Sequence, residues 1–509
     1  MSTSQRRTKI HTRSAEQDKT FIPLRKTFGE PADVLFVDLD DTLISTDLLW
    51  ESAILGVKRD PRLLWRIPVW AMKGRASLKR ALAERVIIDP SRLPYRPALI
   101  EFLKHEAEYR PVVLATASDE VWAREVAEEI GCFEDVLASD GRTNLKGTAK
   151  LAAIQKYCTT HGHEKFAYIG DSRSDMPIWA ASAEPYVVEP SSRLMRAAEN
   201  LPVALAVFGQ RPSRLKALVK ALRPQQWVKN LLLFLPLIMA HELFALDKIV
   251  ATALAFIAFS LCASSVYVLN DLSDARSDRL HPHKKRRPFA SGALPISWGP
   301  PLSATLLAAG FTLASLTLPP PFILALVCYQ VLTTLYTFWL KQQVLVDVQM
   351  LAGLYTLRIL AGGFASQVPV SEWMMGFSVF LFTSLAFAKR YAELARMQDS
   401  GGRKRPTGRG YNVDDLGLIE VLGPTSGYLA VLVLAMYLHS ETVRSLYARP
   451  WALWLICPVI MYWVSRIWLL ARRRQLAEDP VVFAIRDRVS LALGAAVALL
   501  MLIATAPWA

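Results

Sequence analysis

The sequence predicts an α/β doubly wound domain with a small helical cap, followed by an all-α polytopic membrane bundle of about nine transmembrane helices. Three observations carry that expectation. Up to about Ala206, short apolar strands alternate with charged helices, the pattern of a parallel sheet covered by helices on both faces. After Trp227 the chain becomes a succession of long apolar segments, each near the length that crosses ~30 Å of hydrocarbon. The averaged composition, 52% hydrophobic and 20% charged over 509 residues, fits neither a soluble enzyme nor a bare membrane bundle.

Residues 1–32 are polar and basic (Arg6, Arg7, Lys9, Arg13) with no apolar run, so they read as a disordered arm and not as a signal peptide. Residues 33–205 form the α/β domain, with the mostly helical stretch 47–105 as its cap. In 206–226, Leu215, Leu218 and Leu222 recur at i, i+3 and i+7 between basic residues, the pattern of a helix lying in a membrane interface. Residues 227–509 are the membrane domain. The five cysteines lack CxxC spacing and imply neither a disulfide framework nor a zinc site. His161/His163 and His281/His283 have no ligand neighbours at metal spacing and read as exposed loop residues.

In the first domain, Val34-Leu35-Phe36-Val37 is a buried-type strand running into Asp38-Leu39-Asp40. Alternation along a strand points Asp38 and Asp40 the same way, so one carboxylate can attack phosphorus while the other protonates the leaving oxygen and activates water. A second apolar strand ends in Thr116, Lys146 supplies a cation, and a third strand runs into Asp171 and Asp175, four apart. This ordered set resembles the haloacid dehalogenase (HAD) superfamily. The resemblance implies a phosphatase in which Asp38 is the nucleophile and Asp40 the general acid/base. Thr116 and Lys146 would hold the phosphoryl group, and Asp171 and Asp175, with Asp38 and the Asp40 carbonyl, would place Mg²⁺. A cap of this kind restricts substrate size.

In the second domain, Asn270-Asp271-Leu272-Ser273-Asp274-Ala275-Arg276-Ser277-Asp278 closes the apolar run Ala251–Leu269. Carboxylates at i, i+3 and i+7 share one helix face. That charge at a membrane boundary needs neutralising, and Mg²⁺ carrying a diphosphate answers the need, being held by one or two carboxylates plus substrate phosphates. The apolar segments are 228–243, 247–270, 298–317, 321–340, 345–365, 373–391, 419–441, 450–471 and 487–507. The loops 271–297, 392–418 and the one near 472 carry most of the Lys and Arg, including Arg403, Lys404 and Arg405. By the positive-inside rule these loops and the first domain face the cytoplasm and the C-terminus lies outside. The net charge of +14 then reflects topology and attraction to anionic lipids, not nucleic-acid binding.

The Asp-rich motif, followed by Lys285-Arg286-Arg287-Pro288-Phe289-Ala290-Ser291-Gly292, resembles the UbiA superfamily of intramembrane prenyltransferases over about residues 220–509. The resemblance implies that Asn270, Asp271, Asp274 and Asp278 hold Mg²⁺-diphosphate, and that a second polar site lies around Tyr336, Lys341 and Asp347. Where common aromatic prenyltransferases carry another Asp four residues on, this chain has Leu351. Arg223-Pro224-Gln225-Gln226-Trp227-Val228-Lys229-Asn230, Lys389-Arg390-Tyr391-Ala392-Glu393-Leu394 and Asp479-Pro480-Val481-Val482-Phe483-Ala484 look like decaprenyl-phosphate phosphoribosyltransferases, which implies phosphoribosyl diphosphate (PRPP) and a polyprenyl phosphate as substrates. Lys229, Lys285, Arg286, Arg287, Lys341, Arg358, Lys389 and Arg390 are then candidates for substrate phosphates. For each cation, a topology-setting charge is the competing reading. The two halves together suggest a bifunctional enzyme of a bacterial cytoplasmic membrane, making polyprenyl-phosphoryl-ribose for cell-envelope glycans. A prenyltransferase with an aromatic acceptor, and a non-catalytic membrane-anchored sensor, stay open.

Overall fold

The computed structural model describes residues 31–199, 201, 205–399, 409–441, 443, 447–476 and 479–505. Most of the expected arm, and Arg403, Lys404 and Arg405, lie outside these. The chain divides into two compact units. One comprises Met1–Lys220 with Asp271–Gly299, the other Ala221–Asn270 with Pro300–Ala509.

The first unit is built on a six-stranded sheet in the order β3-β2-β1-β4-β5-β6. The strands are β1 (Val34–Val37), β2 (Val112–Asp119), β3 (Asp135–Ser139), β4 (Phe166–Gly170), β5 (Glu184–Val188) and β6 (Ala206–Phe208). Every pairing is parallel, as expected where helical crossovers join the strands. The period of two in β1 makes two cores. Leu35 and Val37 pack with Leu99, Leu103 and Trp122, whereas Val34 and Phe36 pack with Ile154, Tyr157 and Trp179. Residues 206–208 pair with β5, so the domain extends past the boundary expected at 205. The helix Arg214–Leu222 begins only after that strand.

The order of strands reverses between β1 and β4, and the chain leaves both at their carboxyl ends there. Such switch points are where doubly wound sheets bind ligands. The cap consists of α1 (Leu48–Arg59), α2 (Leu63–Met72), α3 (Arg75–Ala83) and α4 (Pro97–Glu106). Asp47 caps α1 by accepting from the Leu49 and Trp50 amides, satisfying two donors that a helix start leaves open.

Among the described residues of the second unit, seven helical stretches are long and apolar enough to cross a membrane: Leu246–Arg279, Ile296–Thr317, Pro320–Phe338, Val346–Ser366, Val413–His439, Pro450–Arg472 and Arg488–Thr505. The first and second of these share residues with the first unit. Two of the nine expected segments are not among them. Residues 228–243 form a 3₁₀ stretch, Pro224–Phe234, then a short helix, Leu235–Met239. That helix ends before His241, whose φ of 59° is left-handed and cannot continue a right-handed turn. The helix Glu372–Asp399 is long enough, but Lys389, Arg390, Glu393 and Arg396 charge its last third. Elsewhere helices meet through small residues, as membrane helices do. A Cβ on Gly362 would stand 2.0 Å from the Leu233 carbonyl oxygen, and one on Gly423 would stand 1.9 Å from the Trp468 ring.

Candidate active sites

Asp38 is the first residue past β1. One of its oxygens accepts from the Leu39 amide at 2.8 Å, while the other lies 2.9 Å from the Lys150 ammonium. The tight turn Leu39–Leu43 needs a left-handed residue at Asp41, with φ 56°, a conformation Asp tolerates better than most. Asp40 is fixed at both oxygens, accepting from the Leu48 amide at 2.9 Å and from the Ser118 hydroxyl at 2.6 Å. Burial raises the Asp40 carboxyl to about 6, and the charge of Asp47 pushes the same way. Burial likewise raises Asp38 to about 6, against the pull of Lys150. An acid titrating near 6 can donate a proton near neutrality and accept it back.

Asp38, Asp171 and Asp175 each offer an oxygen, and these lie within 4.8 Å of one another. Burial and three neighbouring carboxylates drive Asp171 well up, with Lys150 opposing. A dry, oxygen-rich site with excess negative charge fits Mg²⁺. Asp175 is held by the Tyr168 hydroxyl at 3.1 Å and by the Ser172 amide and hydroxyl at 3.1 and 2.9 Å. Thr42 donates to Asp171 at 3.3 Å.

The lysine that the structure brings to Asp38 is Lys150, not Lys146. Lys146 is exposed, whereas Lys150 is buried and also donates to the Tyr168 hydroxyl at 3.0 Å. It stands one turn further on, in the helix Thr148–His161, whose buried positions include Ile154, Tyr157 and Cys158. The signal was its spacing of four and seven residues from Ile154 and Tyr157, which puts all three on one inward face. Thr116 is buried, and its hydroxyl accepts from the Ser118 amide at 3.0 Å. Ser118 and the cap residue Lys79, whose Nζ donates to Asn144 at 3.2 Å and to the Ala117 carbonyl, are further residues of the site that motif reading missed.

Of the Asp-rich motif, Asp271 and Asp278 are buried. Arg287 bridges them, with Nη1 3.2 Å from Asp271 and 2.6 Å from Asp278. Asp274 pairs with Lys58 at 3.1 Å. Arg287 of the following loop thus joins Asp271 and Asp278, whereas Asp274 turns to Lys58. Lys285 and Arg286 are exposed. Carboxylate oxygens are the donors Mg²⁺ takes, but here they meet Arg287 and Lys58, and among the described residues the acidic group whose oxygens lie close together is Asp38, Asp171 and Asp175.

Within the second unit two polar clusters form. In one, Asp479 binds Lys229 at 2.9 Å and Lys389 at 2.7 Å, and accepts from the Tyr355 hydroxyl at 3.0 Å. Beside Tyr355, Arg358 donates to Asn230 at 2.9 Å and to the Tyr329 hydroxyl at 3.1 Å, its guanidinium lying over the rings of Phe259, Tyr329 and Tyr355. Such a cation is held by ring quadrupoles as well as by hydrogen bonds. In the other, Arg390 lies 2.7 Å and Arg409 3.2 Å from Asp347, and both donate to the Tyr336 hydroxyl at 3.0 Å. The structure thus brings Lys229, Arg358 and Lys389 into one neighbourhood and Tyr336, Asp347 and Arg390 into another. Lys341 sits on the short turn Leu340–Gln342, half-buried. Asp479 and Arg409 are additions from the geometry. Asp479 opened a motif in the sequence but was given no role.

Residues 231–494 match the UbiA prenyltransferase family, and residues 35–179 match the haloacid dehalogenase-like hydrolases. The uncharacterized protein y4nM of Sinorhizobium fredii is 34% identical over 468 residues, spanning 91% of this chain and 89% of its own length. Nodulation protein NoeC of Azorhizobium caulinodans is 35% identical over 286 residues, spanning 56% of this chain and 92% of its own. Decaprenyl-phosphate phosphoribosyltransferase of Mycobacterium tuberculosis is 31% identical over 294 residues, spanning 56% of this chain and 92% of its own.

Proposed function

The chain belongs to the UbiA prenyltransferase family and carries a haloacid dehalogenase-like domain, and from that premise we propose that it makes polyprenyl-phosphoryl-ribose in two steps. The membrane domain transfers 5-phosphoribose from PRPP to a polyprenyl phosphate, and the HAD domain then removes the 5-phosphate. The multi-pass protein would sit in a bacterial cytoplasmic membrane with its phosphatase on the cytoplasmic side.

The observation that carries the reading is the state of the second polar site. Asp347 is bound by Arg390 and Arg409, and Leu351 offers no second carboxylate. This region therefore presents cations in place of metal-binding acids, which suits a substrate bringing phosphates of its own. In the transfer, the phosphate oxygen of the lipid attacks C1 of the ribose as the bond to diphosphate breaks, through an oxocarbenium-like centre. Asn270, Asp271, Asp274 and Asp278 would hold Mg²⁺, which would offset the charge growing on the departing diphosphate. Lys229, Lys389 and Arg358 would orient the 5-phosphate and the lipid phosphate. The mycobacterial relative, a decaprenyl-phosphate phosphoribosyltransferase, is named for a transfer of this kind.

In the second step Asp38 attacks the 5-phosphate while Asp40 gives its proton to the ribose oxygen. Asp40 then takes a proton from the water that opens the aspartyl-phosphate. Lys150 holds Asp38 in place. Asp38, Asp171 and Asp175 would hold the Mg²⁺ that balances the phosphoryl charge.

The test is to incubate purified protein with Mg²⁺, PRPP and a polyprenyl phosphate and to weigh the lipid product. Wild type should yield polyprenyl-phosphoryl-ribose, and Asp38→Asn a lipid heavier by one phosphate. Turnover of a prenyl diphosphate with an aromatic acceptor, and none with PRPP, would overturn the first step. Identical 5-phosphorylated lipids from both proteins would overturn the second.

A further inference from the structure

The cap helix α2, Leu63-Leu64-Trp65-Arg66-Ile67-Pro68-Val69-Trp70-Ala71-Met72, is apolar on both sides. Leu63 is buried, and Ile67 and Trp70 pack against the domain core. The opposite side carries Leu64, Trp65, Val69 and Met72, of which Trp65 is 79% and Met72 81% exposed. Trp65, Val69 and Met72 are spaced i, i+4 and i+7, so they make one stripe. Single exposed apolar residues are ordinary, but a stripe of large ones on one helix marks a binding surface.

The charge around this stripe identifies its partner. From Pro61 to Ala83 the chain holds Arg62, Arg66, Lys73, Arg75, Lys79 and Arg80 and no Asp or Glu. Arg62, Arg66, Lys73 and Arg75 are exposed. A helix with an exposed Trp-containing apolar face set among cations is the form that lies in the headgroup layer of an anionic bilayer. A second observation places the start of α2 near such a layer. Lys58, five residues before Leu63, donates to the Ser273 carbonyl at 2.8 Å and to Asp274 at 3.1 Å. Both residues lie near the polar end of the membrane-crossing helix Leu246–Arg279.

We propose that α2 is a bilayer-contacting surface, with Leu64, Trp65, Val69 and Met72 entering the headgroup and upper acyl region of anionic phospholipid. Arg62, Arg66, Lys73 and Arg75 meet the lipid phosphates. The cap, and with it the entrance to the Asp38 site, is thereby held against the surface where a lipid-borne substrate would lie. The proposal does not depend on which lipid that substrate is.

The test uses the full chain in vesicles of phosphatidylglycerol and phosphatidylcholine, with the photoreactive residue p-benzoylphenylalanine placed at Trp65 or Met72, and at the exposed Lys156 as control. On irradiation, the Trp65 and Met72 variants should gain the mass of one phospholipid and the Lys156 variant should not. The adduct should fall several-fold in pure phosphatidylcholine vesicles and in Arg62→Glu/Arg66→Glu, while hydrolysis of a soluble phosphomonoester is retained. Absence of lipid adducts at both positions, or adducts to a second copy of the chain, would overturn the proposal. Equal yields in the two lipids would overturn the anionic partner.

Discussion

In the proposed phosphatase reaction Asp40 carries the proton, and Ser118 would tune it. The Ser118 hydroxyl donates to Asp40 at 2.6 Å, a bond that favours the ionised form and so lowers a carboxyl that burial has raised to about 6. Ser118→Ala removes that stabilisation of the anion. The Asp40 pKa should then rise, and the acid should stay protonated to higher pH. A hydrogen bond to a charged group is worth about 1.5–3 kcal/mol, so the alkaline limb of the phosphatase pH profile should move upward by about one unit or more. A limb that stays in place, or moves down, would remove Asp40 as the general acid. Lys150 gives a second prediction. Lys150→Ala takes the buried ammonium from Asp38 and should lower hydrolysis of a soluble phosphomonoester by on the order of 10²–10³-fold. Lys146→Ala, at an exposed position, should leave it nearly unchanged. Asp38 and Asp40 stood out in the sequence because two acids directly follow a buried-type strand, but the expected strand alternation does not orient them, since both lie beyond β1 and Asp40 is in the turn Leu39–Leu43. The choice between Lys146 and Lys150 went to the wrong lysine for contact with Asp38, although the spacing of Lys150 to Ile154 and Tyr157 marked it as inward, because Lys146 lies ahead of the helix Thr148–His161, where no helical face constrains it.

At the scale of elements, the polar residues of the second unit depend on how closely its helices approach. Gly362 on the helix Val346–Ser366 leaves room for the backbone of Leu233, and its missing Cβ would stand 2.0 Å from that carbonyl oxygen. The same 3₁₀ stretch, Pro224–Phe234, carries Lys229 and Asn230. Gly362→Ala should therefore displace that stretch at a cost of about 1–3 kcal/mol. It should lower lipid-linked sugar formation while leaving soluble phosphatase activity intact, the two being read in one preparation. The sequence identified the motif around Lys229 but read residues 228–243 as a membrane span. Hydropathy registers Leu231, Leu232 and Leu233 without registering that the backbone turns at Ala240 and His241. The pairing of Asp347 with Arg390 and Arg409 was equally hidden, since those partners come from distant segments. The helix-end pair Asp271 and Asp278 was visible because seven residues are two turns of one helix, whereas the Lys58 partner of Asp274 comes from a distant segment.

For the whole molecule, the two proposed chemistries would use carboxylates on separate elements, Asp38, Asp171 and Asp175 for one and Asp271, Asp274 and Asp278 for the other. Asp271→Asn should abolish transfer from PRPP while a soluble phosphomonoester is still hydrolysed. Loss of both activities in a folded protein would show that they share one site. The first compact unit, however, is not a continuous piece of chain, for Asp271–Gly299 belongs to it along with the residues up to Lys220. Its seam is Glu51, buried in the cap, whose carboxylate meets Arg279 at 2.6 and 3.0 Å and also accepts from Thr46 at 3.0 Å. Glu51 and Arg279 are separated by 228 positions. During synthesis the ribosome must therefore make the whole membrane-crossing helix Leu246–Arg279 before Glu51 can meet its arginine. Until then Glu51 lacks the arginines that pair with it and has the Thr46 hydroxyl alone of these partners. A nascent chain arrested near residue 220 should accordingly show a cap more open to protease than one arrested well beyond residue 300, and the soluble half would be the first translated and the later to be completed.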